Sequence, residues 1–364
     1  IEIDWNGSTR ITSNNSISSG VWHHIALTVN SGSANLYIDG ILDSTVNSLP
    51  NPASSSSKFT IGALYTNKNN ITSFDGSVDE VRIWNSNLTI NEIRYIMNQE
   101  IEISGANVNG EIIPQTVTKN DISSRTWSEL EAYFDMNSFY GTTIEDNSDN
   151  NHWARIKYLK RDKQVVSSQT APIPYQSQSN GNWDIANTWL NNSVQYLPNT
   201  TLNGTKVDWN IVEINNNVDT NRGITLLGLV SNTNKLSIEA DNHLTISHYF
   251  LLNGVVDLVG ESQLIQTENS DFDEISSGYI ERDQQGVGNR YRYNDWSSPV
   301  TLTGAGNNNT TPFTIADVLR DGTDVNNPSV ITFVPGYDGA IGPPLEISEY
   351  WMYKYANSPD GDYS

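Results

Sequence analysis

Between Ile211 and Ile265 short apolar pieces recur, at 211–214, 226–230, 236–238, 244–246, 255–259 and 264–265, punctuated by Asn, Asp or Gly. Pieces this short cannot make an amphipathic helix, but they are strand-sized, and their spacing of about eight to eleven residues suits a β-sandwich or a short β-solenoid whose rungs bury a common core. The solenoid is slightly preferred. The chain is therefore expected to be all-β.

The same period of two runs through the beginning of the chain. In VWHHIALTV, residues 21–29, Val21, Ile25, Leu27 and Val29 share one strand face, and Trp22, His24, Ala26 and Thr28 share the other. The next strand carries Leu36 and Ile38 and runs into Asp39-Gly40, a hairpin signal because both residues tolerate positive φ. FTIG at 59–62 and FDGSVDEVRIW at 74–84 read as further strands. One helix interrupts them: LTINEIRYIMNQ at 88–99 opens with a Thr89/Glu92 capping box and shows Ile93, Ile96 and Met97 as an apolar stripe. A second, short helix is predicted at 315–319.

WHHIALTV, LYIDG, FTIG, the FDGSVDEVRIW strand and the closing NLTINEIRYI helix together resemble the C-terminal part of a laminin-G-like, concanavalin A-type jelly roll. The resemblance covers residues 1–101 and implies a two-sheet antiparallel sandwich entered midway, with Ile1 internal to a longer precursor. LEAYFDMNSFYGTTIEDNSDNNHWARI, residues 130–156, resembles the opening strands of the same family. Two readings stay open for it: a truncated second jelly roll, or strands that pack on a neighbouring module. Pro172 and Pro174 mark 170–175 as a linker. GNWDIANTWL, QLIQTENSD and the C-terminal region resemble modules of large multidomain proteins exported by the type IX secretion pathway of gliding bacteria. The expected organisation is a jelly roll at 1–101, connecting strands at 102–168, a solenoid-like or sandwich module at 169–280 and a β-rich C-terminal module at 281–364.

Composition narrows the partners. The 364 residues carry 42 acidic and 20 basic side chains, a formal net charge of −22, so nucleic acid and anionic membrane surfaces are repelled. No segment is long and apolar enough to insert into a membrane. The absence of Cys excludes disulfides, zinc-thiolate sites and cysteine nucleophiles. Abundant Asn, Ser, Thr and aromatic residues with few Lys and Glu match extracellular β modules, which points to the cell surface.

Catalytic signatures are weak. Jelly-roll glycosidases of the laminarinase type carry E-x-D-x-x-E, but here Glu2-Ile3-Asp4 is followed by Gly7 where the second Glu would stand. No G-x-S-x-G elbow or HExxH pattern occurs, and His23 and His24, being adjacent, point to opposite faces of a strand. Laminin-G-like domains commonly carry Ca²⁺ at the sandwich rim, and by that resemblance Asp75 and Asp79 are candidate ligands; Asp146 and Asp149, which form an acidic turn, are a second candidate pair by residue type alone. Sugar recognition needs an exposed aromatic face, for which the candidates are Trp5, Trp22 and Tyr65 in the jelly roll and Trp296, Tyr350 and Trp351 near the end. Arg282, Arg290 and Arg292 form a small basic cluster that either meets an acidic glycan or pairs with Asp283 and Asp295.

The function expected from the sequence is a non-catalytic segment of a secreted surface adhesin that binds a carbohydrate. Its other contacts would be with modules of the same long chain or with the secretion machinery. A purely structural stalk module and an accessory module of a polysaccharide-degrading enzyme are the alternatives.

Overall fold

The computed structural model describes residues 1–5, 8–51, 59–67, 70–137, 139–157, 175–190, 199–202, 204–288, 292–296, 314–325 and 327–353, the side chains of 64–67, 70, 71 and 139 excepted. The chain forms two compact units, Ile1–Arg282 and Asp283–Ser364. Strands dominate both, and no described helix is long and apolar enough to cross a membrane.

The first unit opens with a hairpin of β1 (Glu2–Trp5) and β2 (Ser8–Thr12), followed by the antiparallel meander β3 (Ile25–Asn30), β4 (Ser33–Ile38) and β5 (Ile41–Val46). The β4–β5 turn is Asp39-Gly40, at φ +53° and +76°. A Cβ on Gly40 would come within 2.8 Å of the Trp209 indole nitrogen, so both the backbone and the packing require glycine there. One face of the meander, with Ala26, Tyr37 and Ile41, turns toward the main core. The other buries Ala34 and Leu36 against Ile11 of the hairpin. That hairpin covers only part of the sheet. Ile25, Leu27 and Val29 on β3, which share the face of Leu36, stay 43, 39 and 39 % exposed, so the regular alternation here does not produce a fully buried stripe.

A second hairpin, β6 (Ala63–Asn67) with β7 (Asn70–Ser73), precedes β8 (Val81–Trp84) and helix α1 (Ile90–Ile96). The capping box at the start of α1 is formed: Glu92 N–H donates to the Thr89 hydroxyl at 3.3 Å, and Thr89 N–H donates to the Glu92 carboxylate at 2.6 Å. Arg125 then clasps Glu92 through Nε at 2.6 Å and Nη2 at 3.0 Å, tying the helix to the segment that follows β9 (Ile101–Ser104) and β10 (Asn107–Gly110).

The strand expected to open a second jelly roll has another partner. β11 (Leu130–Phe134) pairs antiparallel with β8, Leu130 opposite Trp84 and Phe134 opposite Val81. It continues into a small antiparallel sheet of β12 (Phe139–Tyr140), β13 (Thr143–Ile144) and β14 (Ala154–Arg155).

From β15 onward the chain is a parallel β-solenoid. One sheet stacks β15 (Tyr175–Gln176), β19 (Ile211–Ile214), β21 (Ile224–Ser231), β23 (His243–Leu252), β25 (Gln263–Gln266) and β26 (Asp271–Phe272). The other stacks β16 (Gly181–Asn182), β20 (Val218–Thr220), β22 (Lys235–Ile238), β24 (Val255–Leu258) and β27 (Tyr279–Arg282). A side hairpin, β17 (Thr201–Leu202) with β18 (Thr205–Lys206), leaves the stack. Register places like on like: Tyr175, Val212, Leu229, Phe250 and Phe272 form one inward column, and Val218, Leu236, Val256 and Ile280 another. Trp183 and Trp189, both wholly buried with ring centroids 4.7 Å apart, fill the first rung. On the outside, Lys235 bridges Asp257 and Glu281 at 3.2 and 2.7 Å, relieving a column of like charge.

The solenoid and the N-terminal strands share a core. Ile211, Leu227, Val230 and Tyr249 face outward from the solenoid and pack with Ile93, Ile96, Ile113, Ile122, Leu130 and Tyr133. The second unit holds α2 (Ile315–Val318), an antiparallel pair of β28 (Arg320–Asp321) with β29 (Ser329–Val330), and a parallel pair of β30 (Thr332–Val334) with β31 (Glu346–Ser348).

Candidate carbohydrate-binding surfaces

Residues Glu145 to His152 lie along β11 and are fastened by one carboxylate. Asp146 accepts backbone N–H bonds from Tyr133 at 2.9 Å, Ser148 at 3.0 Å and His152 at 2.8 Å, while Asn150 Nδ2 donates to the carbonyls of Leu130 and Glu131. Burial works to raise the Asp146 carboxyl, but these donors outweigh it and hold the group below the usual carboxylate range. A carboxylate already saturated by backbone donors is a poor metal ligand, and Asp149 is an exposed turn residue at φ +71°. Asp75 is exposed and Asp79 half-buried, the latter accepting from Glu80 N–H at 3.1 Å. Among the described residues no three His, Asp or Glu side chains come together in a way that could hold a metal ion. The four acidic residues singled out for Ca²⁺ are thus not gathered into one such group.

The loop fixed by Asp146 delivers an aromatic pair that the sequence did not single out. Tyr140 on β12 and Trp153 just before β14 flank the middle strand β13, 61 and 47 % exposed, with ring centroids 6.2 Å apart and planes inclined by 38°. His152 and Glu131 meet beside them at 3.3 Å, both more than half exposed. Two open rings with polar neighbours offer what a pyranose needs: apolar faces for its C–H groups and partners for its hydroxyls. The strands that bring them together are two residues long, too short to leave a periodic pattern in the sequence.

The aromatic residues that were singled out are dispersed. Trp5 packs in the small N-terminal core, its Nε1 donating to Pro50 O at 2.9 Å, and Trp22 is half-buried. The side chain of Tyr65 lies outside the described residues. Trp296 is half-buried in the second unit. Trp351, also in the second unit, is open and stands in a group with Tyr337 and Tyr350. In the basic cluster, Arg282 approaches Glu261 at 3.7 Å, and Arg290 lies outside the described residues.

The histidines and the first acidic strand serve the fold. Asp39 accepts from His24 N–H and bonds to His23 Nδ1, each at 2.8 Å, and burial pushes its carboxyl up against the pull of those bonds. His24 reaches the surface only in part; its Nδ1 is buried without a hydrogen-bond partner, and burial followed by the nearby Arg82 depresses its pKa to about 4. Glu2 and Asp4 are exposed on the hairpin, where Asp4 accepts from the Thr9 hydroxyl at 2.7 Å.

No curated protein and no solved structure matches the chain. A family model does match residues 1–94, that of the concanavalin A-like lectin/glucanases superfamily in its laminin G branch, which agrees with the antiparallel strands seen there. The N-terminal quarter of the chain is a concanavalin A-like domain, joined in one unit to a β-solenoid.

Proposed function

We propose that this chain is a non-catalytic, glycan-binding segment of a secreted cell-surface adhesin. The observation that carries the reading is the concanavalin A-like match over residues 1–94. The open Tyr140–Trp153 pair, on the strands that extend this domain through β11, supplies a stacking surface in support. Gly7 in place of a second glutamate favours binding over hydrolysis, since a glycosidase needs two carboxylates at the scissile bond. A net charge of −22 favours a neutral or cationic glycan.

The test is a glycan array probed with the whole chain and its Trp153→Ala variant, with and without EDTA. The reading expects a defined set of glycan signals that Trp153→Ala weakens roughly tenfold, the effect of one lost stacking ring. Silence across the array from a folded protein overturns it. The second reading, a spacer that only sets distance from the cell, is favoured by the parallel solenoid and expects that silence.

A further inference from the structure

We infer that the second unit carries its own carbohydrate-binding site, independent of the concanavalin A-like domain and built from Tyr337, Tyr350 and Trp351. The three rings are 65, 52 and 51 % exposed and touch one another: Tyr337 to Tyr350 at 4.4 Å, Tyr350 to Trp351 at 4.8 Å and Tyr337 to Trp351 at 6.5 Å between centroids. A soluble surface that keeps three large rings together in water retains an apolar patch able to take up a ligand.

The group is held in place by the backbone. β31 runs straight into a single 3-10 turn, Glu349–Trp351, which carries Tyr350 and Trp351, and residues 336–342 bring Tyr337 beside them. That loop is joined to the strand by reciprocal bonds between Ala340 and Glu346, at 3.2 and 2.8 Å, and by the Ser348 hydroxyl donating to Gly336 O. Gly339 sits so close that a Cβ would meet Glu346 O at 2.0 Å, so the approach of the two segments needs that glycine. Trp351 Nε1 donates to Tyr337 O at 2.9 Å, which satisfies the indole's only polar atom internally and leaves its ring for contact.

Charge and ring geometry point to the ligand class. From Arg320 to Lys354 the sequence carries five acidic residues, Asp321, Asp324, Asp338, Glu346 and Glu349, against the two bases at its ends, a net negative stretch that disfavours an anionic polymer. The ring planes are inclined to one another by 59°, 81° and 52°. Rings so inclined do not form one flat platform, which disfavours a flat crystalline face and favours a free chain that can turn against them. The site is therefore assigned to soluble, neutral polysaccharide chains.

Affinity electrophoresis of the full chain through gels containing xylan, mixed-linkage β-glucan, laminarin or an acidic control such as alginate tests this, with sedimentation on crystalline cellulose and chitin alongside. Retardation by at least one neutral soluble polymer is expected, with dissociation constants raised roughly tenfold by Tyr337→Ala and by Trp351→Ala, less by Trp351→Phe, and by the same factors when Trp153→Ala is already present. Circular dichroism and the thermal midpoint of each variant separate lost binding from lost folding. Four outcomes overturn the inference: no retardation by any neutral polymer, retardation unchanged in folded Tyr337→Ala and Trp351→Ala proteins, binding to alginate or crystalline surfaces only, or dissociation of a dimer as the sole effect of the substitutions. Because Trp153→Ala and the Tyr337 and Trp351 variants are scored separately, failure here leaves the glycan reading of the first unit standing, and the reverse.

Discussion

Tyr133 lies opposite Arg82 across the β8–β11 pair, with the guanidinium carbon 5.6 Å from the ring centroid and the Tyr133 hydroxyl donating to both oxygens of Glu80. Arg82 also pairs with Glu80 and donates to the carbonyls of Ile96 and Gln99 at 2.8 and 2.7 Å. A strand some fifty residues further along the chain is thus sealed onto the jelly-roll strand through a buried charge network. Burial pushes the Glu80 carboxyl up, and Arg82 and Tyr133 oppose that push.

Breaking this network from one side should be costly. Arg82→Met leaves Glu80 buried without its cation, and a loss of about 3–5 kcal/mol is expected in urea denaturation. Adding Glu80→Gln to Arg82→Met should restore part of it, since the uncompensated charge is gone. A double variant no more stable than Arg82→Met would contradict the buried pairing.

His24 predicts a specific acid limb. The unfolded chain takes up its proton near the ordinary value of 6.5, whereas the folded chain holds the ring neutral down to about 4. Stability from this group is therefore present above pH 6.5 and is lost as pH falls through that window, by roughly 3 kcal/mol in full. His24→Gln should flatten the fall in urea midpoint between pH 7 and pH 4.5. Carboxylates with lowered pKa, such as Asp146, lose their contribution only at lower pH, below about 4.

Asp146→Ala should destabilise the chain by about 2–3 kcal/mol, because three backbone N–H groups, two of them buried, lose their acceptor. Asp146→Asn, which keeps one carbonyl oxygen, should lose less. The decrement is expected to be the same with Ca²⁺ or with EDTA in a thermal melt. A Ca²⁺-dependent rise in the parent midpoint that the variant abolishes would instead make Asp146 a ligand.

Trp183→Ala should cost about 3–5 kcal/mol, as expected for emptying a large, wholly buried aromatic position. The core joining α1 and β11 to the outer face of the solenoid also predicts that the first unit unfolds in one transition. Far-ultraviolet circular dichroism and tryptophan fluorescence should give coincident curves.

Local chemistry was legible in the sequence wherever it acts over a few residues. The Thr89/Glu92 capping box, the Asp39-Gly40 turn and the strand-sized apolar pieces of the solenoid all appear where their residue types place them. Long-range partnership was not legible. Residues 130–134 look like an opening strand, but nothing in their composition names Val81–Trp84 as the strand beside them. The alternation of Ile25, Leu27 and Val29 marks a face correctly but not its exposure, which depends on how far the β1–β2 hairpin reaches. Asp146 reads as an acidic turn until its three N–H donors are seen. Trp351 could be picked out of an aromatic-rich stretch, whereas Tyr337 joins it only through a loop pinned by Gly339.

The inward columns of the solenoid also bear on how such a chain can change over generations. Each rung presents nearly the same residue types to the rung before and the rung after, from Val212 through Leu229 to Phe250. Duplicating or deleting a whole rung in the middle of the gene would therefore join compatible surfaces and alter the reach of the protein by about 4.8 Å a step. The Trp183–Trp189 pair, wholly buried in the first rung, is not repeated in the rungs that follow. Such a lineage can lengthen or shorten by copying the rungs that come after those two tryptophans.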